Sequence, residues 1–247
     1  MPDAAESTGH PPQRRLGVLI PSSNTVVESE LARALPHNVS LHSARLPHLG
    51  RVEPDAVGAM CDNIERAALM LASAAVDLIV VFAAVPTLLR GDRSDREIAL
   101  LVSEVTGTPS TTTSSAMIAA LRELKVRRLA LGTPFVPSIN EKVVAFLRAH
   151  DFEVLADRGL AIQANVDIGR LSPESARRMA IEIDQPQADA VLLACTNWQT
   201  LEAIDAAEQA IGKPVITTTQ ASLWQVSRLL GVPVRAYGRL MRGDATS

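Results

Sequence analysis

The sequence predicts an α/β protein of two pseudo-symmetric lobes, each a parallel sheet flanked by helices, with the active site in the crevice between them. Three observations carry this reading. Short apolar runs alternate with longer amphipathic stretches along the whole chain, the pattern of parallel strands joined by helices. Within the strand expected over Val76–Phe82, the run Leu78–Phe82 is continuously apolar, as expected of a strand covered on both faces. The pattern then restarts: Ile20-Pro-Ser-Ser-Asn24 is echoed by Val136-Pro-Ser-Ile-Asn140, 116 positions on, and Ala83 corresponds to Cys195 at an offset of 112.

In the first half, Leu16–Ile20 reads as a strand, Thr25–Leu35 as a helix and Val39–Ala44 as a second strand. Pro54–Ala75 has helical spacing through Met60, Ile64, Ala67, Ala68 and Leu71, and the strand Val76–Phe82 follows. Arg96–Thr106 and Ala116–Leu124 are helical, with Thr-Gly-Thr-Pro as punctuation between them. In the second half the strands are Arg128–Gly132, Glu153–Ala156, Ala190–Ala194 and Pro214–Thr217. The helices between and after them are Asn140–His150, Pro173–Ile183, Thr200–Ile211 and Ala221–Leu230. The expected division is a disordered leader over 1–14, a first lobe over 15–125, a second over 126–240 and a tail over 241–247. A C-terminal helix over 221–240 is placed to cross back onto the first lobe.

Composition excludes several classes of function. Net charge is −3 with no Lys/Arg run, and aromatic residues are 3% of the chain, which leaves little to bind or stack on nucleic acid. No apolar stretch approaches the ~20 residues that span a membrane. The first 14 residues lack the apolar centre of a signal peptide. Two widely spaced cysteines, Cys61 and Cys195, give no disulfide framework, so a cytoplasmic setting is expected. His10, His37, His42, His48 and His150 show no metal-ligand spacing, and there is no Gly-x-Ser-x-Gly elbow. No cofactor is expected.

Ligands of open parallel sheets sit outside the carboxyl ends of the strands, so the residues just after each strand are the candidates. Ser22-Ser23-Asn24 joins hydroxyls and an amide to a helix N-terminus, a cradle for a carboxylate that also reads as a helix cap. Thr111-Thr-Thr-Ser-Ser115 repeats the arrangement with more hydroxyls than a cap requires, and Thr217-Thr-Thr-Gln220 repeats it again. Without a glycine-rich phosphate loop, these ends suit small carboxylates rather than nucleotides. Cys195, in Ala-Cys-Thr-Asn-Trp, is placed at the mouth of a helix, where N–H groups are expected to lower a thiol pKa of about 8.5. The plainer reading is a small buried residue. Cys61 reads as packing, and Trp198 and Trp224 as core or rim.

From about Leu16 to Leu240 the chain resembles the Asp/Glu racemase superfamily, in its maleate cis–trans isomerase and arylmalonate decarboxylase branch. The residues that carry the likeness include Leu16-Gly-Val-Leu-Ile-Pro-Ser-Ser-Asn24, Ser43-Ala-Arg-Leu46, Leu129-Ala-Leu-Gly-Thr-Pro-Phe135, Asn165-Val-Asp-Ile-Gly169, Leu192-Leu-Ala-Cys195 and Gly212-Lys-Pro-Val215. Similarity to the decarboxylases is clearest in Thr106-Gly-Thr-Pro-Ser-Thr-Thr-Thr113 and Leu124-Lys-Val-Arg-Arg-Leu-Ala130.

The resemblance implies a site between two lobes. In the isomerases a first-lobe cysteine attacks the alkene and a second-lobe cysteine handles the proton. The second falls on Cys195 and the first on Ala83. A substrate-binding tyrosine falls on Phe135, and carboxylate-binding asparagines fall on Asn24 and Asn165. The decarboxylases have a small residue at the first position, which matches Ala83. The polar groups that follow it there fall on Ala84 and Val85, so this chain departs from both parents.

The sequence-level expectation is therefore a cofactor-independent enzyme acting on a small carboxylate or dicarboxylate. Cys195 is its proton donor, and Ser22, Ser23, Asn24, Ala83, Ala84, Val85, Thr112, Thr113, Phe135, Asn165 and Thr196 form the substrate site. An arylmalonate-decarboxylase-like lyase leads, since one proton delivered to one face requires one acid. An isomerase of a related unsaturated acid and a non-catalytic carboxylate-binding protein are the alternatives. A homo-oligomer is an expectation drawn from the family alone.

Overall fold

A computed structural model describes residues 13–48, 50, 58, 60–83 and 94–243. Ala84, Val85, and the first four residues of the helix expected over Pro54–Ala75 lie outside the described residues.

The first sheet is formed by β1 (Arg14–Pro21), β2 (Val39–Leu46), β3 (Leu78–Val81) and β4 (Ser110–Thr112) in the order β2-β1-β3-β4. The second is formed by β5 (Arg128–Thr133), β6 (Glu153–Gly159), β7 (Ala190–Leu193) and β8 (Val215–Thr217) in the order β6-β5-β7-β8. All pairings are parallel. The two halves thus repeat one topology, as the sequence echo predicts. Helices α1 (Val27–Ala34), α2 (Ile64–Ala72), α3 (Ser94–Thr106) and α4 (Thr113–Glu123) belong to the first half. The second half has α5 (Pro137–Ala149), a short α6 (Asn165–Ile168), α7 (Pro173–Ile183), α8 (Ile204–Ile211), α9 (Thr218–Leu230) and α10 (Gly238–Arg242).

The side-chain alternation of a strand explains how the first sheet is covered. Leu16, Val18 and Ile20 of β1 point into a core that continues into the second half of the chain. Leu19, with Ile79 and Val81 of β3, points into a smaller core closed by Ile64, Ala67, Ala68 and Leu71 of α2 and by Ile98 and Val102 of α3. Each fully buried Leu or Ile is worth about 1.5–3 kcal/mol over leaving it in water. The large core is continuous because α9 packs along α4 and reaches α1 and β3.

The repeat extends to a polar detail. Asp77 accepts the Arg15 N–H (2.7 Å) and pairs with Arg14. Asp189 accepts the Arg127 and Arg128 N–H groups (3.0 and 2.8 Å) and pairs with Arg128. Each aspartate stops the backbone donors at the start of its central strand, and the two lie 112 positions apart, as Ala83 and Cys195 do.

Several element boundaries differ from the sequence reading. Ser110–Thr112 is a strand where the sequence reading expected a hydroxyl cluster leading into a helix, because β-branched threonines suit a covered edge as well as a cap. Accordingly α4 and α9 start at Thr113 and Thr218, three residues earlier than expected. The long helix expected to end at Ala75 is interrupted by a turn at Asp62-Asn63. The helix expected from Thr200 opens as a 3-10 turn, Leu201–Ala203. The chain expected as one helix over 221–240 ends its first helix at Gly231, left-handed at φ 64°, and resumes as α10. Arg14, expected in the leader, pairs with Val39 in β1.

Candidate active site

The carboxyl ends of β1, β3 and β7 meet at one place. After β1, the turn Ser22-Ser23-Asn24 is held from below by Arg45, whose Nη1 donates to the carbonyls of Ser22 and Asn24 (both 3.0 Å) while Nη2 pairs with Glu28. Asn24 combines the two roles weighed for it. Its Oδ1 accepts the Val26 and Val27 N–H groups (3.0 and 3.1 Å) at the mouth of α1, and its Nδ2 donates to Thr196 Oγ1 (3.3 Å). Thr196 in turn reaches the carbonyl of Phe82 (3.5 Å), next to buried Ala83 at the end of β3.

The seam is completed by two asparagines of the second half. Asn197 Oδ1 accepts the Thr25 N–H (2.8 Å), and its Nδ2 donates to the Asn165 carbonyl (2.6 Å). Asn165, opening α6, donates from Nδ2 to Ser23 Oγ (2.9 Å). This approach depends on Gly169: a Cβ there would stand 2.2 Å from Thr25 Oγ1 and 3.3 Å from Asn197. Only a residue without a side chain lets the segment after α6 close on the first half.

Cys195 lies two residues beyond β7, as Ala83 lies two beyond β3. Its thiol is buried, and Sγ accepts the Asn197 N–H at 3.4 Å. Burial pushes its pKa up to about 12, outweighing the N–H groups of Asn197 and Trp198 that favour the thiolate. This corrects the lowered pKa expected from the sequence. The helix proper begins at Ile204, too far along to offset the desolvation of a sulfur anion. Glu30 of α1 adds to the upward push when ionised. Its Oε1 accepts the N–H groups of Thr200 and Leu201 (2.9 and 3.1 Å), while Oε2 is sealed without a partner. Burial raises its own pKa to about 7, against those N–H groups and the charge of Arg33.

Beside Cys195, a cavity of about 10 Å³ is lined by Ala194, Phe135, Thr113, Ser114 and Thr218, among others. It is room for about one water. Among the described residues no group of three His, Cys, Asp or Glu side chains could hold a metal ion. A protonated thiol facing neutral donors can act as a proton donor to a carbanion, but it is a weak nucleophile.

Comparisons with known proteins place the chain in a family. A model of the family described as arylmalonate decarboxylase matches residues 16–241. The chain belongs to the arylmalonate decarboxylase family. Among curated family relatives, the maleate isomerase of Nocardia farcinica is 30% identical over 94% of this chain and 97% of its own. The arylmalonate decarboxylase of Bordetella bronchiseptica is 28% identical over 91% and 95%. Among solved structures, a cysteine-to-serine mutant of the Nocardia enzyme with a covalently bound succinylcysteine intermediate superposes with a TM-score of 0.88. It is 30% identical and covers 94% of this chain and 99% of its own. A liganded double mutant of arylmalonate decarboxylase superposes at 0.87 with 27% identity, over 94% of this chain and all of its own.

Within this family fold, the structure brings Ser23, Asn24, Asn165, Thr196, Ala83 and Cys195 to one seam, with Ser22 held beneath it. Phe135 and Thr113 line the adjoining cavity. Thr112 is spent locally, its Oγ1 accepting the Ser115 N–H as the cap of α4. Thr113 meets Ser222 of α9 at 3.2 Å, so part of the hydroxyl cluster binds helices together. Trp198 is fully buried, and Cys61 packs against the smaller core. Sequence reasoning missed Glu30, Asn197 and His48. Glu30 carried a usable signal: with Val27, Leu31 and Ala34 it occupies the buried face of α1 at helical spacing.

Proposed function

We propose that the protein is a cofactor-independent decarboxylase of a small substituted malonate-type diacid, with Cys195 as its single proton donor. The observation that supports it best is a buried thiol held protonated at the end of β7, with only a methyl group, Ala83, at the corresponding end of β3. Loss of carbon dioxide breaks one C–C bond and leaves its electron pair on the α-carbon as an enediolate. Cys195 Sγ gives its proton to that carbon, and water returns a proton to the thiolate. The net change is dicarboxylate dianion plus one proton to monocarboxylate anion plus carbon dioxide. The apolar lining at Phe135 and Ala194 favours departure of an uncharged product from a desolvated carboxylate. The second amide hydrogens of Asn24 and Asn165 hold the carboxylate that stays.

The isomerase alternative draws on the 30% identity with the Nocardia maleate isomerase. It requires a nucleophile, and a thiol with a pKa near 12 supplies little thiolate at neutral pH. The test is a proton-NMR time course in deuterated water with methylmalonate, phenylmalonate, maleate and aspartate, for wild type and Cys195→Ala. Cysteine-dependent decarboxylation is expected. Geometric conversion of maleate replaces the proposal with the isomerase reading, and ligand-induced thermal stabilisation without turnover replaces it with a binding protein.

A further inference from the structure

His48, two residues beyond β2, is buried to 7% exposure and joins the seam through Ser23. Its protonation pattern follows from its neighbours. The Gly50 N–H, which can only donate, points to Nδ1 at 3.3 Å. Ser23 Oγ lies 2.7 Å from the same nitrogen and already accepts the Asn165 amide at 2.9 Å, so its hydroxyl hydrogen goes to His48. Nδ1 therefore carries the lone pair and the ring proton sits on Nε2. Burial pushes the His48 pKa down, which keeps the ring neutral. Nε2 makes no hydrogen bond to a described residue, and it is not among the sealed-off polar atoms. The result is a ring whose tautomer is set by Ser23 and Asn165 at the first-half side of the seam, with Nε2–H left to donate.

We propose that His48 is a substrate-binding residue whose Nε2–H hydrogen-bonds a carboxylate of the bound diacid, adding a donor to a site where Phe135 supplies none. This rests on the diacid reading above and adds to it a specificity-determining contact. A neutral donor meeting a carboxylate in a partly desolvated site is worth about 1.5–3 kcal/mol, or roughly 10- to 100-fold in affinity.

Two substitutions separate the two ring nitrogens. His48→Asn keeps an acceptor for the Ser23 hydroxyl at the near position and removes the far donor. His48→Gln places an amide N–H at the far position. In a Cys195→Ala background, titration calorimetry with phenylmalonate, methylmalonate and maleate is expected to show roughly 10- to 100-fold weaker binding for His48→Asn and recovery of most of it by His48→Gln. Thermal melting of both variants without ligand should match the parent, which removes misfolding as a cause. Unchanged affinity in His48→Asn overturns the proposal while leaving decarboxylation intact, whereas a failure of all three diacids to bind overturns both. Binding that depends on His48 in a protein that turns over none of the three keeps the contact and removes the decarboxylase.

Discussion

Replacing Glu30 by Gln should make the protein more stable at pH 8 and leave it nearly unchanged at pH 5. The carboxyl is 1% exposed, with Oε1 satisfied by the Thr200 and Leu201 N–H groups and Oε2 unpartnered. Burial raises its pKa from 4.5 to about 7. The folded protein therefore holds this proton more tightly than the unfolded chain. Its contribution is fully present below pH 4.5 and is lost as pH rises through 7. At ~1.4 kcal/mol per pKa unit, the loss amounts to about 3 kcal/mol, an upper value because the buried site relaxes. Gln keeps the acceptor for Thr200 and Leu201 and cannot ionise. It also turns the unpartnered oxygen into a donor near the Thr219 hydroxyl, whose oxygen lacks a partner too. Urea unfolding of both proteins at half-unit steps from pH 5 to pH 8 measures the effect as a difference of differences. Glu208, raised by burial, and His48, lowered by burial, titrate in both proteins and cancel. The variant should gain steadily relative to wild type, by about 2–3 kcal/mol across the range. A gap independent of pH would refute the reasoning, since it would mean the carboxyl ionises as it does in water.

Further outcomes follow from the same contacts. Iodoacetamide at pH 8 should add one carbamidomethyl group to the folded protein, lost in Cys61→Ser, because the Cys195 thiol is buried with a pKa near 12; intact mass reads the count. In the Cys61→Ser background, Glu30→Gln should move the Cys195 thiolate absorbance near 240 nm to lower pH without lowering the melting temperature at pH 8. Gly169→Ala should cost about 1–3 kcal/mol by overpacking, since its Cβ would meet Thr25 Oγ1; adding Thr25→Ala removes the clashing oxygen and should restore much of the loss in urea unfolding. Asp189→Asn should destabilise by about 1–2 kcal/mol at pH 6 and by less at pH 3. Burial of Asp189 is outweighed by the Arg128 and Arg127 N–H groups and the Arg128 guanidinium, which lower its pKa, so its support disappears as the carboxylate protonates below the usual range; urea melts at the two pH values test this.

The parts of the fold that sequence revealed were those written in hydrophobic period. Val76–Phe82 and Ala190–Ala194 show as strands because both faces are covered, while the echo at Asn24 and Asn140 pointed to the repeat without marking equivalent places, since Asn24 lies three residues past β1 and Asn140 lies inside α5. Ser110–Thr112 escaped because its hydroxyls resemble a cap and its three residues are too few to establish an alternation. Among the proposed site residues, Cys195, Asn24 and Asn165 were legible from position after a strand or from family motif. His48 was not: its role depends on how the chain after β2 turns back toward Ser23, a contact across 25 positions that no local pattern encodes. The direction of the Cys195 pKa was also hidden, because nearby N–H groups can be guessed from sequence and the extent of burial cannot. Glu30 was readable on the buried face of α1, and its meaning comes only from the N–H groups it meets 170 positions away.

The central claim is that one acid, Cys195, delivers one proton to one face of a carbanion. Its most direct test is decarboxylation of methyl(phenyl)malonate in deuterated water, followed by chiral separation and mass analysis of the 2-phenylpropionate formed. The account predicts a single enantiomer carrying one deuteron, formed by wild type and not by Cys195→Ala. Racemic product, or turnover that survives loss of the thiol, would contradict it.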